Sequence, residues 1–278
     1  MTAPLLVALD LDGTLIDHSL VIRPRVRAAV HAVAARGIAV TIVTGRMFVA
    51  SAPYAALLGI RGAIVCYQGA AIYEAATGVK LRETPLASDV ALRVVERARQ
   101  DGYHVQLYRD DRFYCEQYNR YAALYARLAG VEPVVVPSLA DAFAGRDSTK
   151  CNIVTDPQLV ARYIEVVREV CAGDAYVTRS NPEFIEVLNP HVDKGEALRF
   201  VASRAGIPME RVFAIGDSYN DIPMLEAVGF GVAMGSGPAE LKAVAKAAVG
   251  DYEHDGVAEA LECFVLTDEG RALEDSAP

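Results

Sequence analysis

The sequence predicts an α/β protein: a doubly wound, Rossmann-like parallel sheet core interrupted by an inserted α+β module. Three observations carry this. Short, wholly apolar runs alternate with helical patterns in the first third of the chain and again after Lys194. These runs lack the polar alternation of a half-exposed strand, as strands covered on both faces do. Between the two stretches the order changes to helices and paired strands, the pattern of a separate module. At 278 residues the expected count is two domains.

Taken in order, LLVAL at 5–9 reads as a strand, Pro24 to Arg36 as a helix and IAVTIV at 38–43 as a second strand. A helix over about 47–58 leads to GAIVCY at 62–67, and QGAAIYE with VKLRE reads as a small meander ending near Pro85. The module then runs as helix 88–100, the pair YHVQLY and RFYCEQ, helix 118–129, strand 134–136 and short helix 138–144. KCNIVT, an amphipathic helix over 157–171 and the pair AYVTR and EFIEV about Asn181-Pro182 complete it. The parallel rhythm resumes with a helix from Lys194 to about Ala205, strand 212–216, helix 221–228, strand 230–234 and helix 238–247. The expected division is therefore core 1–84, inserted domain 85–188 and core 189–278. There is no repeat of fixed period and no low-complexity tract.

Hydrophobic residues make up 53% and charged residues 23%, ordinary globular usage that supports a sizeable core. With 27 basic and 36 acidic residues the net charge is −9, which excludes nucleic acid and anionic membrane as expected partners. Cys66, Cys115, Cys151, Cys171 and Cys263 form no C-x-x-C pair and read as small core residues of a reducing compartment. The N-terminal apolar stretch is stopped by Asp10 and lacks a basic flank, unlike a signal peptide. The longest charge-free run, Met47 to Ile60, is too short to span a bilayer. A cytoplasmic location is the expectation.

Asp10 and Asp12 lie in DLDGTL at the carboxyl end of the first strand, where open α/β sheets bind ligands. In extended chain residues i and i+2 point the same way, and Gly13 permits a sharp turn after them. Two facing carboxylates repel, and hard Mg²⁺ resolves that with oxygen ligands. The competing reading is a solvated loop with Asp12 or Thr14 as a helix cap. VTGR at 43–46 follows the second strand, with the Thr44 hydroxyl and Gly45 amide at the start of the next helix as a phosphate-sized anion site. An ordinary Thr N-cap is the alternative. GDSYND at 216–221 brings Asp217 and Asp221 to the same sheet edge, and Lys194 offers a cation at a helix start, unless it is a solvated helix lysine.

DLDGT, VTGR, the lysine of DKGEAL and GDSYND match in order the four motifs of the haloacid dehalogenase-like superfamily, which the chain resembles over nearly its whole length. The insertion, with its αββ(αβαβ)αββ order, is similar to the class II, type B cap of Cof-type phosphatases. The resemblance implies a Mg²⁺-dependent phosphatase acting on small phosphorylated metabolites such as sugar phosphates. It implies Asp10 as a nucleophile that is already ionised and forms an aspartyl-phosphate, and Asp12 as the acid and base. Mg²⁺ would sit on the Asp10 carboxylate, the Asp12 carbonyl and Asp217, assisted by Asp221. Thr44, the amides of Leu11 and Gly45, and Lys194 would hold phosphoryl oxygens, with Asn220 near the phosphate or substrate. One departure stands out: many Cof-type members have Asn-Gly where this chain has Gln68-Gly69, and the longer amide bears on the pocket edge.

Other features carry less. GFGVAMGSG is spaced G-x-G-x-x-x-G, and its glycines read as turns flanking a strand. His18, His31, His104, His191 and His254 have no ligand spacing, so no zinc is expected. There is no G-x-S-x-G elbow for a serine nucleophile. Tyr103, Tyr108, Tyr114 and Tyr118 read as packing before cleft lining, and Arg179-Ser180 as a solvated turn before a leaving-group contact. A phosphomutase using the same intermediate and a phosphosugar sensor without activity are the alternatives, the second disfavoured by the complete acidic set. No surface pattern indicates an oligomeric state.

Overall fold

The structure, a computed structural model, describes residues 3–267. Helices and strands are numbered in chain order. The first segment holds β1 (Leu6–Leu9), α1 (Pro24–Ala35), β2 (Ala39–Ile42), α2 (Phe48–Leu57), β3 (Ala63–Cys66), β4 (Ala71–Glu74) and β5 (Lys80–Glu83). Next come α3 (Ser88–Gln100), β6 (His104–Arg109), β7 (Arg112–Cys115), α4 (Arg120–Ala129), β8 (Val134–Val135), α5 (Leu139–Ala142), β9 (Cys151–Val154), α6 (Pro157–Cys171), β10 (Tyr176–Thr178) and β11 (Phe184–Leu188). The last are α7 (Lys194–Arg204), β12 (Val212–Gly216), α8 (Ile222–Ala227), β13 (Phe230–Ala233), α9 (Ala239–Val244), β14 (Ala247–Ala248) and α10 (Gly256–Phe264).

The all-parallel sheet has the order β14-β13-β12-β1-β2. β1, buried at every position, is an interior strand, with β2 on one side and β12 on the other. The chain thus changes winding direction beside β1, and the loops after β1, β2 and β12 share one edge at that switch point. β3 continues the sheet through a single parallel bridge, Val43 to Val65, and turns into the antiparallel β3-β4-β5 meander. The chain leaves this set after Glu83 and returns after Leu188. Between those points lies a second sheet, β10-β11-β9-β6-β7-β8, antiparallel except where β7 meets β8. Its outer face packs with α3 and α6 in a separate apolar cluster that includes Val94, Ile153 and Val167. Tyr108, Phe113, Tyr125 and Phe184 join the core that also holds Leu9 and Ile215, so the two sheets share apolar packing.

Two local differences from the sequence reading have physical causes. The helix expected over 238–247 stops at Val244, because Ala245 turns extended and Lys246 N donates to Gly231 O. The next two residues pair with Val232 and Ala233 as β14, taking up the open edge of β13. No element was expected beyond 247, yet α10 packs against α1, tied by Arg25 to Glu262 at 2.6 Å. Cys263 on this helix is exposed, whereas the other four cysteines are buried as expected. Among the described residues no helix is long and apolar enough to cross a membrane.

Candidate active site

At the end of β1 the Asp10 amide donates to Ile215 O of β12 at 3.0 Å, so strand pairing itself places its carboxyl at the sheet edge. Gly13 has φ +83°, and a Cβ there would overlap the Asp217 carboxylate; the turn works because glycine tolerates both demands. Thr14 Oγ1 donates to Asp217 Oδ1 at 3.3 Å. Neither Asp12 nor Thr14 caps a helix, since α1 begins at Pro24 after Arg23, and the cap reading is excluded. Lys194 opens α7 but is buried, not solvated: its Nζ donates to Asp10 Oδ1 at 2.5 Å and to Asp221 Oδ1 at 2.6 Å. Asp221 Oδ2 accepts from the Asp217 and Ser218 amides at 2.9 and 3.0 Å, which leaves that carboxylate fully engaged.

Asp10, Asp217 and Asp221 bring carboxylate oxygens within 4.8 Å of one another. Burial and the Asp221 charge, partly offset by Lys194, push the Asp10 carboxyl up to about 7. Burial together with the Asp10 and Asp221 charges raises Asp217 well above the usual carboxylate range. One lysine does not offset these acids, so the cluster carries excess negative charge. Asp10 Oδ2 and Asp217 Oδ2 have no hydrogen-bond donor among the described residues. An oxygen-only donor set, over-supplied with negative charge and with two oxygens free, fits a hard divalent cation.

The loop after β2 departs from expectation. α2 starts at Phe48, its N-cap is Met47, and its first amides, Phe48 N and Val49 N, donate to Asp111 at the tip of the β6–β7 hairpin at 2.9 and 2.8 Å. Thr44 is thus neither an N-cap nor at a helix terminus, and its Oγ1 accepts from Arg46 N at 3.1 Å. The amides of Leu11 and Gly45 have no protein acceptor among the described residues. Arg46 grips the Asp12 carboxylate with two bonds of 2.8 and 2.6 Å and donates to Leu128 O of α4 at 2.8 Å. Asp10, Asp12, Gly45, Asp217 and Asn220 line a cavity of about 590 Å³, while Leu11, Thr44, Lys194 and Asp221 are buried without lining it.

A family model described as haloacid dehalogenase-like hydrolase matches residues 7–261. The chain belongs to the haloacid dehalogenase-like hydrolase family. The pyridoxal phosphate phosphatase YbhA of Escherichia coli is 29% identical over 263 residues, covering 91% of this chain and 96% of its own. The 5-amino-6-(5-phospho-D-ribitylamino)uracil phosphatase YitU of Bacillus subtilis is 29% identical over 262 residues, covering 92% and 96%. A solved haloacid dehalogenase-like hydrolase from Bacteroides thetaiotaomicron is 28% identical with a TM-score of 0.82, covering 95% of this chain and 99% of its own.

In this haloacid dehalogenase-like hydrolase α4, β11 and the turn before β11 supply the cavity's far wall. Tyr125, Leu128 and Phe184 form an apolar side, and Arg179, Ser180 and Asn181 a polar one. The Arg179-Ser180 turn therefore lines the cavity and is not merely solvated; the Arg179 guanidinium lies 4.7 Å from the centre of the Tyr219 ring. Tyr103 and Tyr114 pack on Tyr163 and Phe143, Tyr108 is buried, and Tyr118 is exposed; none of the four lines the cavity. Two lining residues escaped the sequence reading: Lys150 before β9 and Glu186 in β11, paired and each only 1% exposed. Only the bare fact of charges in apolar strands signalled them, since strand alternation admits either charge on a solvated face.

Proposed function

We propose that this haloacid dehalogenase-like phosphatase hydrolyses small phosphomonoesters of metabolites with Mg²⁺ through phosphorylated Asp10. The observation that carries the reading is the buried Asp10–Lys194–Asp221 bridge beside Asp217, at the switch-point edge of a parallel sheet and open to a cavity. Asp10 attacks phosphorus, the bond to the leaving oxygen breaks, and Asp12, once released from Arg46 and protonated, gives that oxygen a proton. Water then attacks, its proton passing to Asp12, and Asp10 is released. The Asp10 and Asp217 carboxylates and the Asp12 carbonyl would hold Mg²⁺, which when bound neutralises charge on the transferring group. Thr44, the free amides of Leu11 and Gly45, and Lys194 hold phosphoryl oxygens, with Asn220 beside them. Asp221 keeps Lys194 and the Asp217 loop in place.

In this reading residues 1–84 and 189–278 form the hydrolytic core and 85–188 the cap, which carries substrate choice and limits water. Sugar phosphates and the phosphorylated heterocycles named for the relatives are the substrate classes to test first. The test is phosphate release from a panel of such esters with and without Mg²⁺. Release is expected to need the metal and to disappear in Asp10→Asn; activity that survives this change overturns the assignment.

A further inference from the structure

The loops that face the phosphoryl position are held by one buried ion pair from the other sheet. Lys150 Nζ pairs with Glu186 Oε1 and donates to Gly45 O at 3.0 Å. Glu186 Oε2 accepts from Gln68 Nε2 and from Ser180 Oγ, both at 2.6 Å. Gln68 Oε1 in turn accepts from Asn220 Nδ2 at 2.9 Å. Burial alone would raise Glu186, but Lys150 and these donors hold it below the usual range, and burial's downward pull on Lys150 is likewise overcome by Glu186.

Charge at the head of this chain decides the polarity of everything after it. A carboxylate only accepts, so Gln68 turns its amide nitrogen to Glu186 and its oxygen to Asn220. Asn220 must then donate to Gln68, and its Oδ1 is left buried without a protein partner. On the other arm, the Gly45 carbonyl and the Arg46 amide belong to one peptide unit, and Arg46 N occupies a lone pair of Thr44 Oγ1 at 3.1 Å. Holding that peptide leaves the Thr44 hydroxyl hydrogen free to donate elsewhere. A Cβ on Gly45 would overlap Gln68 Nε2, so the two arms also touch. Gln68 sits at φ +58°, a conformation asparagine adopts more readily, but it is anchored at both ends to Glu186 and Asn220. A buried ion pair is poor value as a stabiliser compared with an apolar pair of like size, which points to orientation as its contribution.

We propose that Lys150 and Glu186 are positioning residues for phosphoryl transfer, acting through the Gly45–Arg46 peptide and through Gln68 to set which atoms of Thr44, Gly45 and Asn220 meet the phosphoryl group. This rests on the phosphatase reading above. Both arms start on the six-stranded sheet, so parting the sheets undoes the phosphoryl-binding geometry at once. Because the relay acts at the phosphoryl end, its loss affects all esters alike.

The test compares wild type, Gln68→Met and the charge-free Lys150→Met/Glu186→Gln double variant. Readouts are kcat and KM for 4-nitrophenyl and phenyl phosphate with Mg²⁺, inhibition by inorganic phosphate, and Tm. Both variants are expected to lose about tenfold or more in kcat/KM, by the same factor for both esters, with phosphate inhibition weakened in parallel. Gln68→Met leaves the ion pair intact and decides the matter if the double variant does not fold. Losses confined to one ester, or kcat/KM and phosphate inhibition within about twofold of wild type, overturn the proposal. Wild-type protein without Mg²⁺-dependent release would refute the phosphatase reading instead, and calorimetric phosphate binding then reads the relay directly: equal affinity in wild type and Gln68→Met overturns it.

Discussion

Replacing Asp111 by glycine removes a grip that the β6–β7 hairpin exerts on the start of α2. The Asp111 carboxylate accepts from Phe48 N and Val49 N and from the Tyr67 hydroxyl at 2.8 Å, and α2 has no side-chain cap of its own. Loss of an N-cap costs about 1 kcal/mol. Leaving the Tyr67 hydroxyl buried without an acceptor adds about 1–3 kcal/mol. Asp111 sits at φ +54°, so glycine relieves up to about 1 kcal/mol of left-handed strain that alanine would retain. The net expectation is about 2–3 kcal/mol, which lowers Tm by about 4–12 °C for a chain of this size. Asp111→Asn, which tolerates the same backbone and keeps one acceptor, is expected to cost about half as much. Tyr67→Phe, which removes the stranded hydroxyl, is expected to rescue part of the glycine variant's loss, so a thermal-melt cycle over the two sites shows coupling of about 1 kcal/mol. Unchanged melting of the glycine variant, or purely additive effects, would refute the grip.

Two further outcomes follow from single residues. Gly13→Ala is expected to fold with about 1–2 kcal/mol of backbone strain yet to lose the proposed Mg²⁺-dependent activity by a larger factor, because its Cβ displaces the Asp217 carboxylate; parallel melts and rate assays separate the two. Burial pushes His104 down to about 4, while its unfolded form titrates near 6.5, so the unfolded chain takes up the proton first as pH falls. The stability His104 contributes is whole above about pH 6.5 and is lost towards pH 4, by about 3 kcal/mol. Urea melts across this window are expected to show a flatter decline for His104→Gln, and parallel curves would remove His104 as the cause.

Much of the fold and of the carboxylate cluster was written locally. Apolar runs of strand length announced β1, β2 and β12, and the two-residue spacing of Asp10 and Asp12 with Gly13 behind them announced a turn at a sheet edge. Lys194 was legible only as a motif member; that it is buried between Asp10 and Asp221 came from α7 docking against α8 and β3. The tertiary structure decided what chain-local geometry does not encode. It paired Arg46 with Asp12 and gave the first α2 amides an acceptor in Asp111, 63 residues away from Phe48, instead of Thr44. It ended α9 early because an open strand edge offered Ala247 and Ala248 better partners than another helical turn. It also joined Lys150, Glu186, Gln68 and Asn220 across separations of up to 152 residues. Periodicity and spacing report which way neighbouring side chains point; which distant charge meets them is set by how two sheets pack, and that is absent from any short stretch of sequence.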